Sequence, residues 1–572
     1  MELVAYLGPP GDEYLDQILD RLERSLPLII AIDTETVSLK NRDCIGIGVA
    51  FNSREALYFS LLPDRSPRLD LLWRLLSDPL ITKIYHNSSY DMDVLDTEVD
   101  LAGPLVDTSI MASVQGLPNK LKDLAHFYLG EEIDEISDVL PARHNMLDLE
   151  FPVVANKCLH DVLATYRLYE KFGGPEWSSS EGHTWSYRPN YEWGYNPIEP
   201  TSYYVSPGMK DCYRVDTQLI PVLQRMGRRG IALIPEVVRV WYDQVGQEVL
   251  QYRDICEQVG FNPASPQQVG YMLAARGNML PFTKSRKQLR TDEEVLSELD
   301  DPLATIVLNY RKRDKLLGTY LRPYLEEARA YTKFRLDLST ARLASHDRNL
   351  QNIPSEIREI FAADSGMFTW ADFNQIEMRM FAYLTQDPIM LKAYAEGSDV
   401  HADTQSALWP GSDLKDEGLR KRIKGFNFTM IFLGQPPTLA KAVGLPIKVC
   451  EEFRNIWLAR YSHAYSWMIQ QTEVGPEQGY VDTLYGRKSR LPALDMSTPE
   501  HRLKCAVNYP VQASTADIVK RAMLMCEKEC LPVVLQVHDE LLCDGDVEFP
   551  DMEWIHPELH TPYKVKRSSI WS

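Results

Sequence analysis

Two strand-forming runs far apart in the chain, FTWADF and VVLQVHDELL, each carry an aspartate where the run gives out, Asp372 and Asp539. Runs this rich in β-branched and aromatic residues read as sheet strands. An acid at a strand's end faces a cleft, and the two runs present both aspartates at one surface. Between them lies the basic, helix-forming segment RKRIKGFNFTMIFLG. Two carboxylates from separate strands, with cations supplied by an intervening helix, suit phosphoryl transfer assisted by two metal ions about 3.5–4 Å apart.

FTWADF predicts a strand ending at Asp372, a turn, and a helix from Gln375 to Leu384 that carries Glu377. VVLQVHDELL predicts a hairpin with His538, Asp539 and Glu540 at its turn. In the basic segment, Arg420, Lys424, Phe428 and Phe432 recur every fourth residue and form one helical stripe, rising about 6 Å per step. Two cations followed by two aromatics suit a triphosphate and the base it carries. Taken alone, the stripe is better explained as an amphipathic helix whose cations snorkel from a buried face.

A second set of acids lies near the N-terminus. AIDTETVSL puts Asp33 and Glu35 on one face of a strand, because side chains alternate with a period of two. HNSSYDMDVL adds Asn87 and Asp91, and CLHDVLATYRLY adds Asp161. Carboxylates converging from separate elements are tolerable when cations neutralise them.

A chain of 572 residues is too long for one core and implies several domains. Hydrophobic and charged fractions of 44% and 25% are those of an ordinary globular protein. The opening MELVAYLGPPGDEYLD lacks a basic region followed by an apolar one, so no signal peptide or membrane span is expected. Nine cysteines without a CxxC pair point to a reducing cytoplasm and away from zinc or disulfides. The net charge of −20 is unusual for a partner of nucleic acid, but residues 1–172 carry most of it, roughly 29 acidic against 15 basic side chains. Phosphate binding depends on local basic patches rather than on the total.

Residues 28–172 read as an α/β unit with strands at 28–33, 44–60 and 83–86. The stretch 173–210 is rich in Gly, Pro, Ser and aromatics, from Trp177 and Trp185 through Tyr187, Tyr191, Trp193 and Tyr195 to Tyr203 and Tyr204. It reads as an extended strap packed between domains. Helices are expected at 216–227, 236–259 and 292–325, with Ser265 and Pro266 capping another. The basic stretches 284–287 and 310–315 are candidate contacts to a duplex backbone.

In this order, the motifs resemble the family A DNA polymerases, the bacterial DNA polymerase I-like group in its phage type, with a fused 3′–5′ exonuclease domain. The resemblance runs from about Leu28 to the last residues. It implies a ribonuclease H-like α/β exonuclease domain over 1–172, the strap over 173–210, and an α+β right-hand polymerase over 211–572. Within the latter it implies a thumb at about 230–335, a palm at about 336–400 and 480–572, and fingers at about 401–479. It further implies two Mg2+ per active site, with Mn2+ as a substitute. Asp372 and Asp539 would hold one pair beside Glu540, and Asp33, Glu35, Asp91 and Asp161 the other.

Lys424 would face the triphosphate and protonate pyrophosphate. Arg420, Phe428, Phe432, Gln375 and His538 would line the nucleotide site, with Glu377 excluding a ribose 2′-hydroxyl. A single-subunit RNA polymerase would need a small residue at that position. STARLASHDRNLQNIP matches the primer-template motif and would set Arg342, Asn349, Gln351 and Asn352 against the minor groove, joined by Arg487, Asn508 and Gln512. Primer-template DNA, dNTPs and replication accessory proteins would be the partners of a monomer working in the cytoplasm, a host's if the chain is phage-encoded.

Three departures matter. Lys157 stands where the family carries a water-orienting tyrosine, which opens the alternative of weak or absent editing. Lys504 replaces a usual arginine, and Phe432 lacks a hydroxyl that many relatives have. A nuclease with a merely DNA-holding C-terminal half, or a non-catalytic scaffold, would require loss of one acidic set, and both are present.

Overall fold

The structure is a computed structural model that describes residues 4–6, 13–38, 41–62, 69–95, 99–140, 144–186, 202–283, 285, 287–494 and 496–571. Tyr187, Tyr191, Trp193 and Tyr195 of the strap, and Lys284 and Arg286 of the basic loop, lie outside these residues.

The N-terminal unit is built on strands β1 (Val4–Tyr6), β2 (Ile29–Thr36), β3 (Cys44–Ala50), β4 (Glu55–Ser60), β5 (Thr82–Tyr85) and β6 (Leu105–Asp107), ordered β1-β4-β3-β2-β5-β6. Alternation along β2 sorts its side chains between two layers. Ile30 and Ile32 pack with Leu71, Leu72, Leu75 and Leu76 of the Leu69–Ser77 helix. Ala31, and with it the odd-numbered Asp33 and Glu35, faces the Phe151–Lys171 helix. That helix lies close because β3 offers glycine beneath it. A Cβ at Gly48, the register partner of Asp33, would come 2.8 Å from Cys158 Sγ.

After this unit, β-hairpin strands at His183–Ser186 and Ser202–Val205 lead into a long helix, Pro207–Arg229. Trp177 is buried against Tyr213 with ring centroids 4.9 Å apart, and Lys210, 1% exposed, donates to Glu176 O at 2.5 Å and Ser179 Oγ at 2.7 Å. The described part of the strap is therefore packed rather than loose.

The segment expected as one helix over 292–325 is instead several short pieces: Glu293–Ser297, Pro302–Lys315, a π-turn at Leu316–Leu321 and a 3-10 turn at Arg322–Tyr324. Pro302 disfavours helix at the residue before it and starts a new one. Asp301 caps that start, accepting from Leu303 N at 2.9 Å. The expected cap at Ser265 forms, its Oγ accepting from Gln268 N at 3.3 Å.

The C-terminal unit centres on a four-stranded antiparallel sheet made of β7 (Phe368–Phe373), β8 (Val533–Val537), β9 (Glu540–Asp544) and β10 (Tyr563–Ser568), ordered β8-β9-β7-β10. The 30-residue helix Pro499–Lys528 packs beside the Ile376–Thr385 and Pro207–Arg229 helices. A helical lobe, Val400–Leu408 through Ser462–Gln478, packs through its last helix on the Pro499–Lys528 and Ile376–Thr385 helices and carries the basic helix Glu417–Ile431.

Candidate active sites

β7 and β9 bring the C-terminal acids together. Asp372 pairs in register with Glu540, and Phe373 N donates to Asp539 O at 3.1 Å. Neighbouring strands run about 4.8 Å apart, so the end of β7 and the two-residue turn His538-Asp539 share one rim of the sheet. His538 takes the left-handed conformation that so short a turn demands, at φ 55°. Burial, then the negative charge of Asp372, pushes Asp539 up to about 6. Lys566 of β10 reaches to 3.6 Å from Asp372. Like-charged carboxylates held this way fit a divalent cation, which would relieve the repulsion.

A cavity of about 330 Å³ opens at this rim, lined among others by Arg342, Gln375, Glu377, Phe428, His538 and Asp539. Five residues expected at the nucleotide and primer sites thus share one space with Asp539. Arg342 and Glu377 form an ion pair within it. Trp571, a residue that sequence reasoning missed, donates through Nε1 to Glu540 Oε1 at 2.9 Å. Its ring lies under the Arg358 guanidinium at 4.2 Å. Nothing local in SSIWS signals this contact, because its partners come from distant strands.

The basic helix is capped by Asp416, whose side chain accepts from Leu419 N at 3.0 Å. Lys424 is exposed, and Arg420 is held by Asp399 at 2.5 Å, where Gln375 also donates at 3.1 Å. The helix ends at Ile431 with half-buried Phe432 as its C-cap, and the chain turns away after it through Leu433 at φ 57°. Behind Phe428, buried His401 accepts through Nδ1 from Asn427 Nδ2 at 3.0 Å, and its Nε2 has no partner. The Asn427 orientation is set by Trp457 Nε1 and Thr404 Oγ1, which donate to its Oδ1 at 2.8 and 3.1 Å.

Among the expected DNA contacts, Asn349 and Asn352 are exposed and Gln512 is half-buried. Gln351 is engaged within the protein, donating to Gln536 O and Oε1 at 3.1 and 2.9 Å. Asn508 Oδ1 is buried without a partner. Arg487 is not a surface contact. It is 2% exposed and clamped by Asp216 at 2.8 Å and Asp517 at 2.7 Å, with Lys520 completing the buried group at 2.7 Å from Asp216. A guanidinium buried to join the Pro207–Arg229 and Pro499–Lys528 helices, with three of its five N–H groups on these two carboxylates, is withdrawn from phosphate.

In the N-terminal unit, Asp33 and Glu35 of β2 meet Asp161 of the Phe151–Lys171 helix and Asp91 of the Ser88–Leu95 helix. Burial and then the Asp161, Asp91 and Glu35 charges raise Asp33 well above the carboxylate range. Asp91 is pushed up to about 7 by burial, although Thr34 N and Oγ1 donate to it at 2.9 and 2.7 Å. Ligand atoms of Asp33, Glu35 and Cys158 lie within 4.8 Å of one another, and Asp161 Oδ1 is buried without a partner. Lys157 reaches into this group, 3.1 Å from Glu35 Oε1 and 2.8 Å from Asp161 Oδ2. Burial alone would favour its neutral form, but the Asp161, Glu35 and Asp33 charges outweigh that and keep the ammonium protonated.

A family model described as DNA polymerase family A matches residues 241–553, more than half the chain. The chain belongs to DNA polymerase family A. A second model, described as 3′–5′ exonuclease, matches residues 12–173, so this family A chain carries that domain ahead of its polymerase region. The relatives named below are bacterial. DNA polymerase I of Pseudomonas aeruginosa is 29% identical over 583 residues, 92% of this chain and 60% of that protein. DNA polymerase I of Deinococcus radiodurans is 32% identical over 363 residues, covering 58% of this chain and 38% of that one. The chain spans about 60% of the length of the relatives that it matches over nearly its whole extent. The POL domain of Pol1 from M. smegmatis, solved in complex with DNA primer-template and dNTP, has the same fold. The TM-score is 0.74 over 99% of both chains, at 21% identity. Among the described residues, no helix of the family A chain is long and apolar enough to cross a membrane.

Proposed function

We propose that this family A chain extends a primer 3′ end on a DNA template and removes mispaired 3′ ends in its exonuclease domain. The observation that carries the reading is the meeting of Asp372 and Asp539 on one sheet rim, over a cavity that also holds Glu377, Phe428 and Arg342. The primer-template and dNTP bound by the M. smegmatis POL domain support the choice of substrates.

Asp372 and Asp539 would hold divalent cations, Mg2+ in the first instance, with Glu540 beside them. When bound, such a pair lowers the pKa of the primer 3′-hydroxyl and neutralises charge developing on the α-phosphate. The protein's own groups do the rest. Phe428 offers a face for the incoming base, and exposed Lys424 is free to meet the triphosphate and give a proton to departing pyrophosphate. Arg420 reaches the same phosphates by leaving or sharing Asp399. Glu377 fills the space a 2′-hydroxyl would need, and Arg342 exchanges it for a minor-groove acceptor of the terminal pair.

At the exonuclease domain, Asp33, Glu35, Asp91 and Asp161 suit a metal by charge and by the unpartnered Asp161 Oδ1. A second reading, with editing weakened, is favoured by Lys157, which stands in place of a water-orienting tyrosine and already ties up Glu35 and Asp161.

Extension and degradation of matched and mismatched primers test the assignment. Asp539→Asn is expected to abolish extension and spare degradation, and Asp33→Ala to do the reverse. Loss of both activities in either variant, or of neither, contradicts the division of labour.

A further inference from the structure

The exonuclease cluster holds a cation of its own. Four carboxylates, Asp33, Glu35, Asp91 and Asp161, carry a formal charge of about −4 when ionised, and the Lys157 ammonium lies among them. Its contacts are those of a built position: 3.1 Å to Glu35 and 2.8 Å to Asp161, with the Lys157 and Glu35 side chains 10% and 3% exposed. Two divalent cations added to Lys157 would overcompensate the cluster, while one brings the total to about −1. The remaining ligand atoms agree with one further ion. Asp161 uses Oδ2 for Lys157 and leaves Oδ1 buried and unpartnered, and Asp33, Glu35 and Cys158 group within 4.8 Å.

We propose that Lys157 takes the place of one of the two divalent cations, so that this domain binds a single metal ion beside a fixed ammonium. The inference rests on the reading of the cluster as a metal site. It places Lys157 on the carboxylates rather than on the attacking water. The ammonium supplies charge between Glu35 and Asp161 without being diluted by low metal concentration. It offers no open coordination position, so it orients and neutralises but does not activate water.

The test counts bound Mn2+ by electron paramagnetic resonance on the full chain with Asp372→Asn and Asp539→Asn, so that the polymerase pair does not contribute. Lys157→Met keeps the aliphatic stem and removes the charge, and Lys157→Tyr removes it with a ring in its place. Both are expected to bind about one more equivalent of Mn2+ than Lys157 does. Their melting temperatures are expected to be lower in EDTA and to recover on adding Mn2+ by more than the parent's rises, because Glu35 and Asp161 lose their counter-charge. The two substitutions guard against one variant failing to fold. Equal counts, with all three forms binding two ions that Asp33→Asn removes, would overturn the counter-cation and leave the metal site standing. No Mn2+ sensitive to Asp33→Asn in any form would overturn the metal site itself.

Discussion

Glu377 sits in the cavity beside Gln375 and Phe428, tied to Arg342, and its carboxylate fills space that a smaller residue would leave open. Glu377→Ala is expected to raise incorporation of ribonucleotides relative to deoxyribonucleotides by about 10–200-fold, the range a single steric contact controls. The ratio of kcat/KM for the two sugars reads it directly, and an unchanged ratio rejects the gate. Trp571 makes a separable contribution. Trp571→Phe keeps a ring under Arg358 but loses the donor to Glu540, costing about 1 kcal/mol. Trp571→Ala also empties a fully buried site and costs about 3–5 kcal/mol. Urea denaturation separates the two steps. Asp372, Asp539, Asp33 and Asp161 were legible as candidates because each stands in a motif with its own local pattern. Trp571 and Asp399 were not, since their partners, Glu540 and Arg420, lie on other elements.

Among elements, the Glu417–Ile431 helix shows how far local pattern reaches. The Arg420-Lys424-Phe428 stripe follows from spacing, whereas the start at Glu417 and the Asp416 cap lie ahead of the expected segment. The helix's end is not legible in the sequence, because the chain leaves the helix at Phe432 and turns through Leu433 at φ 57°, which no propensity marks. The same limit explains 292–325, where apolar periodicity continued through Asp301-Pro302 and the proline decided otherwise. The Val400–Leu408 helix, which packs against the Glu417–Ile431 helix, carries a pH dependence. Burial lowers the pKa of His401 to about 4, against about 6.5 for a free imidazole. Between those values the unfolded chain binds more protons than the folded one, so stability is complete above about pH 6.5 and falls as pH drops towards 4. The loss reaches about 3 kcal/mol at most. Urea midpoints at pH 7.5, 6 and 5 measure it, and His401→Asn is expected to flatten the profile. An identical acid slope in that variant places the sensitivity on other groups.

At the scale of the whole molecule, buried and half-buried ion pairs join segments remote in sequence. Asp93 meets Arg42 at 2.6 Å, Lys333 at 3.0 Å and Arg228 at 3.6 Å, tying the exonuclease domain to the polymerase region. Asp216, Arg487, Asp517 and Lys520 form the deeper knot. Arg487→Ala would leave Asp216 and Asp517 buried without the cation that bridges them, and is expected to destabilise by about 3–5 kcal/mol. Because the guanidinium is spent inside, Arg487→Lys is expected to leave the salt dependence of primer-template binding unchanged, whereas loss of a phosphate contact would lower its slope by about one. A shallower slope would return Arg487 to the DNA surface. The order of the exonuclease and polymerase regions was readable from motif order, but these cross-chain pairs were not, because charge pairing between distant residues leaves no periodic trace.

The most direct measurement of the central claim is the single-turnover rate of correct dNTP addition by the full chain and by Asp372→Asn and Asp539→Asn, on one primer-template held at saturation. Each substitution is expected to slow addition by at least about 10³-fold while DNA affinity stays within a few-fold, as befits groups that act on the reacting phosphate. Addition near the parent rate by either variant would contradict the account.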